Sequence, residues 1–273
     1  NQNKLSEFYE ELKRLNINVI RPDINECFAD FKTDGNKFYY ALGGIKAVGY
    51  EAVSNIIKER SLNGKFKSIN DFLKRVNPKN INKLQLEGLV KAGAFDNLIS
   101  NRQSLYNSIP NFISISKNMY ENKSSNQIDL FNDEIEKDNQ NQIISEIQDW
   151  KFEERLSKEF ESVGFFISDH PLNQFKAIFD DYKILDYQTF NSNDEFKDSN
   201  IAATLLKIQE RKTAKGNSYA VLKLTDLNSV FELFIFSEIL ESNREILKEG
   251  SSLILTLVKS ISNDDNRFKR INV

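Results

Sequence analysis

Apolar residues at Leu5, Phe8, Tyr9, Leu12 and Leu15 recur every three or four positions and predict a helix near the start of the chain. Ile17, Val19 and Ile20 form a short β-like run that Pro22 stops, and a second apolar run at 38–42 ends at Gly43-Gly44. Between 42 and 106 the pattern is one of short helices punctuated by glycine, with Val53, Ile56 and Ile57 on one face after Gly49. Residues 107–149 are rich in Asn, Ser, Asp, Glu and Gln without a sustained period, which predicts a linker or an extended peptide. Helices are expected again over 150–164 and 172–179. From residue 201 the period changes to two, so strands are expected at 201–212, 220–226, 230–236 and 253–261, with a helix at 238–247 and a further strand opening within 267–273.

Three strands, a helix and two more strands, with Lys215-Gly216-Asn217 as the first hairpin turn, is the order of an OB-fold barrel. The fold class read from the sequence is therefore multi-domain α and β: a helical tandem helix-hairpin-helix domain followed by a small OB-fold β-barrel. The expected divisions are an opening segment at 1–36, the hairpin domain at 37–107, a polar linker at 108–149, a helical connector at 150–198 and the barrel at 199–273. Asn1 is not an initiator methionine and 267–273 reads as a strand cut short, so the chain is expected to be a fragment.

Two stretches carry candidate chemistry in the hairpin domain. The first is Gly44-Ile45-Lys46-Ala47-Val48-Gly49 before an amphipathic run. The second is residues 86–96, ending Lys91-Ala92-Gly93-Ala94-Phe95-Asp96 and followed by Arg102. Both read as helix, glycine hairpin, helix. A hairpin without bulky side chains lets the backbone N–H groups of the second helix approach a phosphate, and a neighbouring lysine adds charge without reading bases. Plain helical packing gives the same pattern, and the first copy carries Ala47 where a glycine is usual. The candidate DNA contacts here are Gly44, Lys46, Val48, Gly49, Lys91, Gly93 and Arg102. On the barrel, Arg211, Lys212, Lys215 and Tyr219 gather around the first hairpin, where a single strand could meet charge and a stacking ring. A solvated hairpin on a structural barrel is the competing reading.

Charge changes the picture only locally. The formal net charge is −3, which argues against a simple basic nucleic-acid binder. Yet residues 37–107 hold 12 Lys/Arg against 5 Asp/Glu, while 108–160 hold 6 against 11. A basic block beside an acidic one suits a local polyanion site, because salt confines its field to about 10 Å. The single cysteine, Cys27, and single histidine, His170, leave neither a disulfide framework nor a Cys/His metal centre to expect. His170 sits before Pro171 at a turn and is assigned no chemistry. No apolar run approaches the roughly 20 residues that span a bilayer, so a cytoplasmic chain with no membrane partner is expected. Within the polar stretch, Gln127-Ile128-Asp129-Leu130-Phe131 is an apolar island. It either docks on its own protein or inserts Leu130 and Phe131 into a partner's pocket, with Gln127 adding a hydrogen bond.

Four blocks carry a resemblance: Val19-Ile20-Arg21-Pro22-Asp23-Ile24-Asn25, the run from Tyr40 to Gly49, Leu89-Val90-Lys91-Ala92-Gly93-Ala94-Phe95-Asp96, and Gly164-Phe165-Phe166-Ile167-Ser168-Asp169-His170-Pro171. In order and spacing they resemble the bacterial DNA polymerase III alpha subunit, a family C replicative polymerase, over nearly the whole chain. The resemblance implies the end of the fingers at 1–36, the tandem helix-hairpin-helix domain that also binds the sliding clamp, and most of the OB domain. Residues 127–131 then resemble the family's internal clamp-binding pentapeptide. The magnesium-holding aspartates of the family lie upstream, so no catalytic residue and no cofactor is expected here, with magnesium left to the parent polymerase. Expected partners are double-stranded DNA, single-stranded template, the sliding clamp and other holoenzyme subunits. A non-catalytic DNA-binding and clamp-adaptor module of a repair or translesion protein is the alternative.

Overall fold

The structure, a computed structural model, describes residues 2–124, 144, 147–214, 216–261 and 269–273. It falls into two compact units. One is Leu12–Val163, and the other joins Asn1–Glu11 to Gly164–Val273.

The first unit is mainly helical. After α1 (Gln2–Arg14), which is divided between the units, β1 (Asn18–Ile20) runs parallel to β3 (Lys37–Tyr39), and β3 pairs antiparallel with β2 (Lys32–Asp34). Then come α2 (Tyr50–Asn63), α3 (Ile69–Arg75), α4 (Lys83–Lys91), α5 (Arg102–Ser124) and α6 (Phe152–Val163). Starts are written in local chemistry. Ser68 Oγ accepts the Asp71 N–H at 3.1 Å to cap α3, and Asn82 with Gln85 forms a reciprocal capping box on α4. Phe72, Leu86, Phe95, Leu105, Ile109 and Phe112 meet in the core.

The Pro22-Asp23-Ile24-Asn25 block works as a knot. Asp23 Oδ1 accepts the N–H groups of Asn25 and Glu26 at 2.6 and 2.9 Å. The Ile24 N–H donates to Ala94 O at 2.7 Å, while Asn25 exchanges two hydrogen bonds of 2.8 Å with the backbone of Phe66. Arg60 then donates to Ile24 O at 2.7 Å. Backbone groups that a loop would otherwise leave buried and unmade are thus satisfied.

One expectation fails here. The helix expected to end near 106 continues to Ser124, so the first part of the supposed linker is helical. Leu105, Ile109, Phe112 and Ser116 are buried at steps of four, three and four, a helical face diluted by Asn and Ser and interrupted by Pro110. Burying that face outweighs the one backbone bond that Pro110 forfeits. Residues 127–131 lie outside the described residues.

The second unit is built on β5 (Asp198–Lys212), β6 (Ser218–Thr225), β7 (Val230–Phe236), β8 (Ser252–Ile261) and β9 (Lys269–Asn272), after a short β4 (Ile184–Leu185) and α7 (Tyr187–Ser192). α8 (Ser237–Asn243) follows β7 and is shorter than the run expected at 238–247. The strand order is β7-β6-β5-β8-β9, antiparallel throughout, and the sheet curls into a half-barrel consistent with an OB-like fold. Alternation buries Ala220, Leu222 and Leu224 of β6 and Phe231, Leu233 and Ile235 of β7, and Leu240 of α8 packs into the same core. A bulge between Leu205 and Lys207 lets the long strand β5 serve both β8 and β6. His170 Nδ1 accepts the Leu172 N–H at 3.1 Å and caps the 3-10 segment Pro171–Ile178.

Candidate nucleic-acid interface

The first hairpin is held from beneath. Val48 is fully buried and anchors the loop, and its N–H donates to Ile45 O at 3.2 Å. The Lys46 N–H donates to Ser162 O at 2.9 Å. Gly88 of α4 lies so close below that a Cβ there would sit 2.8 Å from Lys46 O. What remains outward is the Lys46 side chain, Ala47, Gly49 and the start of α2. Gly49 takes φ +78° and ψ 146°, a conformation open essentially to glycine, and no side chain caps α2. An uncapped helix start beside an exposed lysine presents backbone donors and a positive dipole end to an anion.

Two details were not readable beforehand. Gln85 Nε2 comes within 3.9 Å of where a Gly49 Cβ would be, adding an amide to this surface, while its Oε1 is held by the Asn82 N–H. Gly44 is not the close-packed glycine. Its N–H is taken by Ala41 O, and a Cβ would make only ordinary contacts. Gly43 is the tight one, since a Cβ would approach Ala29 O at 2.7 Å.

Ala47 lies at φ +63°, the left-handed region that disfavours any Cβ. Ala47→Gly should therefore raise stability by about 1 kcal/mol, since the native conformation is the one alanine resists. Urea unfolding followed at Trp150, the sole tryptophan and a buried residue of the helical unit, checks this. A lowered midpoint would contradict the strain.

The second hairpin differs. Gly93 takes φ +79°, and the Arg102 guanidinium packs against it so closely that a Cβ would lie 2.2 Å from Nη2. Arg102 is 3% exposed and donates to both oxygens of Asp96 at 2.7 and 2.8 Å, to Lys91 O at 3.0 Å and to Glu159 at 3.4 Å. Burial works against its charge, but these two carboxylates hold it firmly protonated. The expectation that Arg102 touches DNA is corrected: it braces α4, α5 and α6 from inside. The start of α5 is also occupied, because Asn101 Oδ1 accepts the Ser104 N–H and Asp149 Oδ1 that of Gln103. Lys91 donates to Glu161 at 2.9 Å. Burial would raise the Glu161 carboxyl, yet Lys91 and Lys158 hold it below the usual carboxylate range.

On the barrel, Arg211 pairs across strands with Tyr219, and the alternation of the strand places Lys212, paired with Ser218, on the opposite face. Lys215 lies outside the described residues.

A family model described as a helix-hairpin-helix motif matches residues 16–105. Proteins named DNA polymerase III subunit alpha match over most of the chain: 33% identity in Borreliella burgdorferi over 92% of this chain and 22% of that protein. The protein of Campylobacter jejuni shows 32% identity over 91% and 21%, and that of Caulobacter vibrioides 26% over 98% and 23%. The chain is homologous to part of the bacterial DNA polymerase III alpha subunit.

It spans about a fifth of the length of these alpha subunits. The helix-hairpin-helix match covers both hairpins, and within it only the first leaves its second helix uncapped. Among the described residues, no cluster of three or more His, Cys, Asp or Glu could hold a metal, and no helix is long and apolar enough to cross a membrane.

Proposed function

We propose that this chain is the part of a replicative DNA polymerase that grips duplex DNA behind the active site and tethers the enzyme to a sliding clamp. The observation that carries the first half is the uncapped start of α2 beside exposed Lys46, in a chain whose relatives are polymerase alpha subunits. Gly49, Gln85 and the first amides of α2 take a phosphate oxygen, and Lys46 supplies the charge. Lys91 and Gly93 lie behind the acidic groups of hairpin two and contribute less. Backbone amides and a lysine charge at the first hairpin serve a phosphate whatever the base beside it, so binding is indifferent to sequence. Template-directed synthesis belongs to the parent polymerase, where magnesium would be held outside this segment. The clamp is met by Gln127, Ile128, Asp129, Leu130 and Phe131, and a single strand by Arg211 and Tyr219 on one face of the barrel, with Lys212 on the other face left out of that contact, in a cytoplasmic assembly.

Lys46→Glu should weaken binding to two unrelated 20-base-pair duplexes by the same factor, on the order of tenfold, since it replaces one phosphate contact by a repulsion. Fluorescence anisotropy with each duplex measures it. Loss on one sequence only, or on neither, would overturn the assignment of hairpin one.

A further inference from the structure

The two hairpins differ in what stands at the start of the second helix. α2 begins without a side-chain cap, whereas the start of α5 is covered by residues 147–150, with Asp149 reaching Gln103 from 46 positions further along the chain. Asp149 Oδ1 accepts the Gln103 N–H at 3.0 Å and the Trp150 N–H at 2.9 Å, and its Oδ2 accepts Arg155 Nη1 at 3.3 Å. A backbone amide at a helix start and a guanidinium, both on one anion, are the donors a phosphate group takes. Here the anion is the chain's own carboxylate. It is not needed as a plain cap, because Asn101 Oδ1 already accepts the Ser104 N–H at 2.9 Å.

This strap is fastened by contacts that are readily exchanged. Ile147 and Gln148 are exposed, and Ile147 is held by its backbone, whose O accepts Asn101 Nδ2 at 2.6 Å and Ser104 Oγ at 3.2 Å. Trp150 is the fixed end: it is buried, and its ring centroid lies 5.5 Å from that of Tyr106. Swinging 147–149 off α5 therefore breaks polar contacts that water or a phosphate replaces, and it uncovers little apolar surface. Charge follows the same logic. In the ion pairs around hairpin two, Lys91, Arg102, Arg155 and Lys158 meet Asp96, Asp149, Glu159 and Glu161, four cations against four anions. With Asp149 swung away the count is four to three.

We propose that Asp149 is a phosphate surrogate carried by the chain itself, and that the strap 147–150 shuts hairpin two against DNA until a phosphodiester displaces it. The exchange is close to even, since the Gln103 N–H and Arg155 gain one anion for the one they lose. Competition of this kind weakens the second hairpin without abolishing it. The inference rests on the proposal that the helix-hairpin-helix segment grips duplex DNA. It adds that hairpin two is held in reserve by residues outside the matched stretch 16–105.

The test uses the whole 273-residue chain and a twenty-base-pair duplex. Asp149→Ala should raise duplex affinity about threefold to tenfold and steepen the slope of log K against log salt by about 0.9, one added phosphate contact. Asn101 still caps α5 in this variant, and thermal unfolding followed at Trp150 confirms the fold. In an Arg155→Gln background the same substitution should give no gain, because no guanidinium is released. Glu154→Gln removes an equal charge from the exposed first turn of α6 and should change affinity and slope far less. Hydrogen exchange on wild type needs no variant: saturating duplex should speed exchange of the Ile147 and Trp150 amides while Gln103 stays protected. Strap amides that duplex slows or leaves unchanged overturn the proposal. So does a gain that survives Arg155→Gln or that Glu154→Gln reproduces. Asp149→Ala equal to wild type, with the Lys46→Glu loss present, overturns the strap and leaves hairpin one standing. No duplex binding by wild type or by Asp149→Ala overturns both.

Discussion

Replacing Leu130 and Phe131 together by alanine should weaken binding to the sliding clamp about a hundredfold or more. Burying each of these side chains contributes roughly 1.5–3 kcal/mol, and each 1.4 kcal/mol is a factor of ten in affinity. The neighbours Ser124, Ser125, Asn126, Asn132, Asp133 and Glu134 offer little further apolar area, so the affinity concentrates in two anchors. Gln127→Ala should cost less, about 1 kcal/mol for one neutral hydrogen bond. Calorimetry with the clamp measures both, and duplex binding should persist because the motif lies outside the basic block. Unchanged clamp affinity in the double variant would place the tether elsewhere.

The second large effect belongs to Arg102. Arg102→Met should destabilise the helical unit by about 3–5 kcal/mol, because Glu159, 0% exposed, and Asp96 both lose the buried guanidinium that faces them. Asp96 suffers less, as Arg155 still reaches it at 3.1 Å. Adding Glu159→Met should recover much of the loss, since replacing both members of a buried pair by apolar groups of similar size is often neutral or better. Thermal unfolding followed at Trp150 should show the single variant lower by roughly 10 °C and the double variant well above it. If Arg102→Met instead left the melting temperature unchanged and lowered duplex affinity, Arg102 would be a DNA contact after all.

These expectations show where sequence reasoning reached and where it stopped. The barrel was legible because Ala220, Leu222 and Leu224 recur at period two along β6, although Val221 and Lys223 on its other face are buried as well, which the sequence does not show. The first hairpin was legible in outline because Lys46 and Gly49 lie only three residues apart in sequence. Arg102 was not, since its partner Glu159 lies 57 residues away and nothing local distinguishes a buried arginine from an exposed one. Gly88 was not singled out for the same reason: its need for a bare Cα comes from Lys46 O across the fold. The exposed rings at 234 and 236 were within the strand that was read, but alternation alone cannot say which face is the outer one. Burial of Leu233 and Ile235 decides it.

The most direct measurement is the salt dependence of duplex binding for wild type, Lys46→Gln and Lys91→Gln. Each phosphate contact neutralised by a lysine contributes about 0.9 to the slope of log K against log salt. Lys46→Gln should flatten the slope by close to that amount. Lys91→Gln should change it less, because Lys91 is already engaged by Glu161. A Lys46→Gln slope equal to that of wild type would contradict hairpin one as the place where this chain holds DNA.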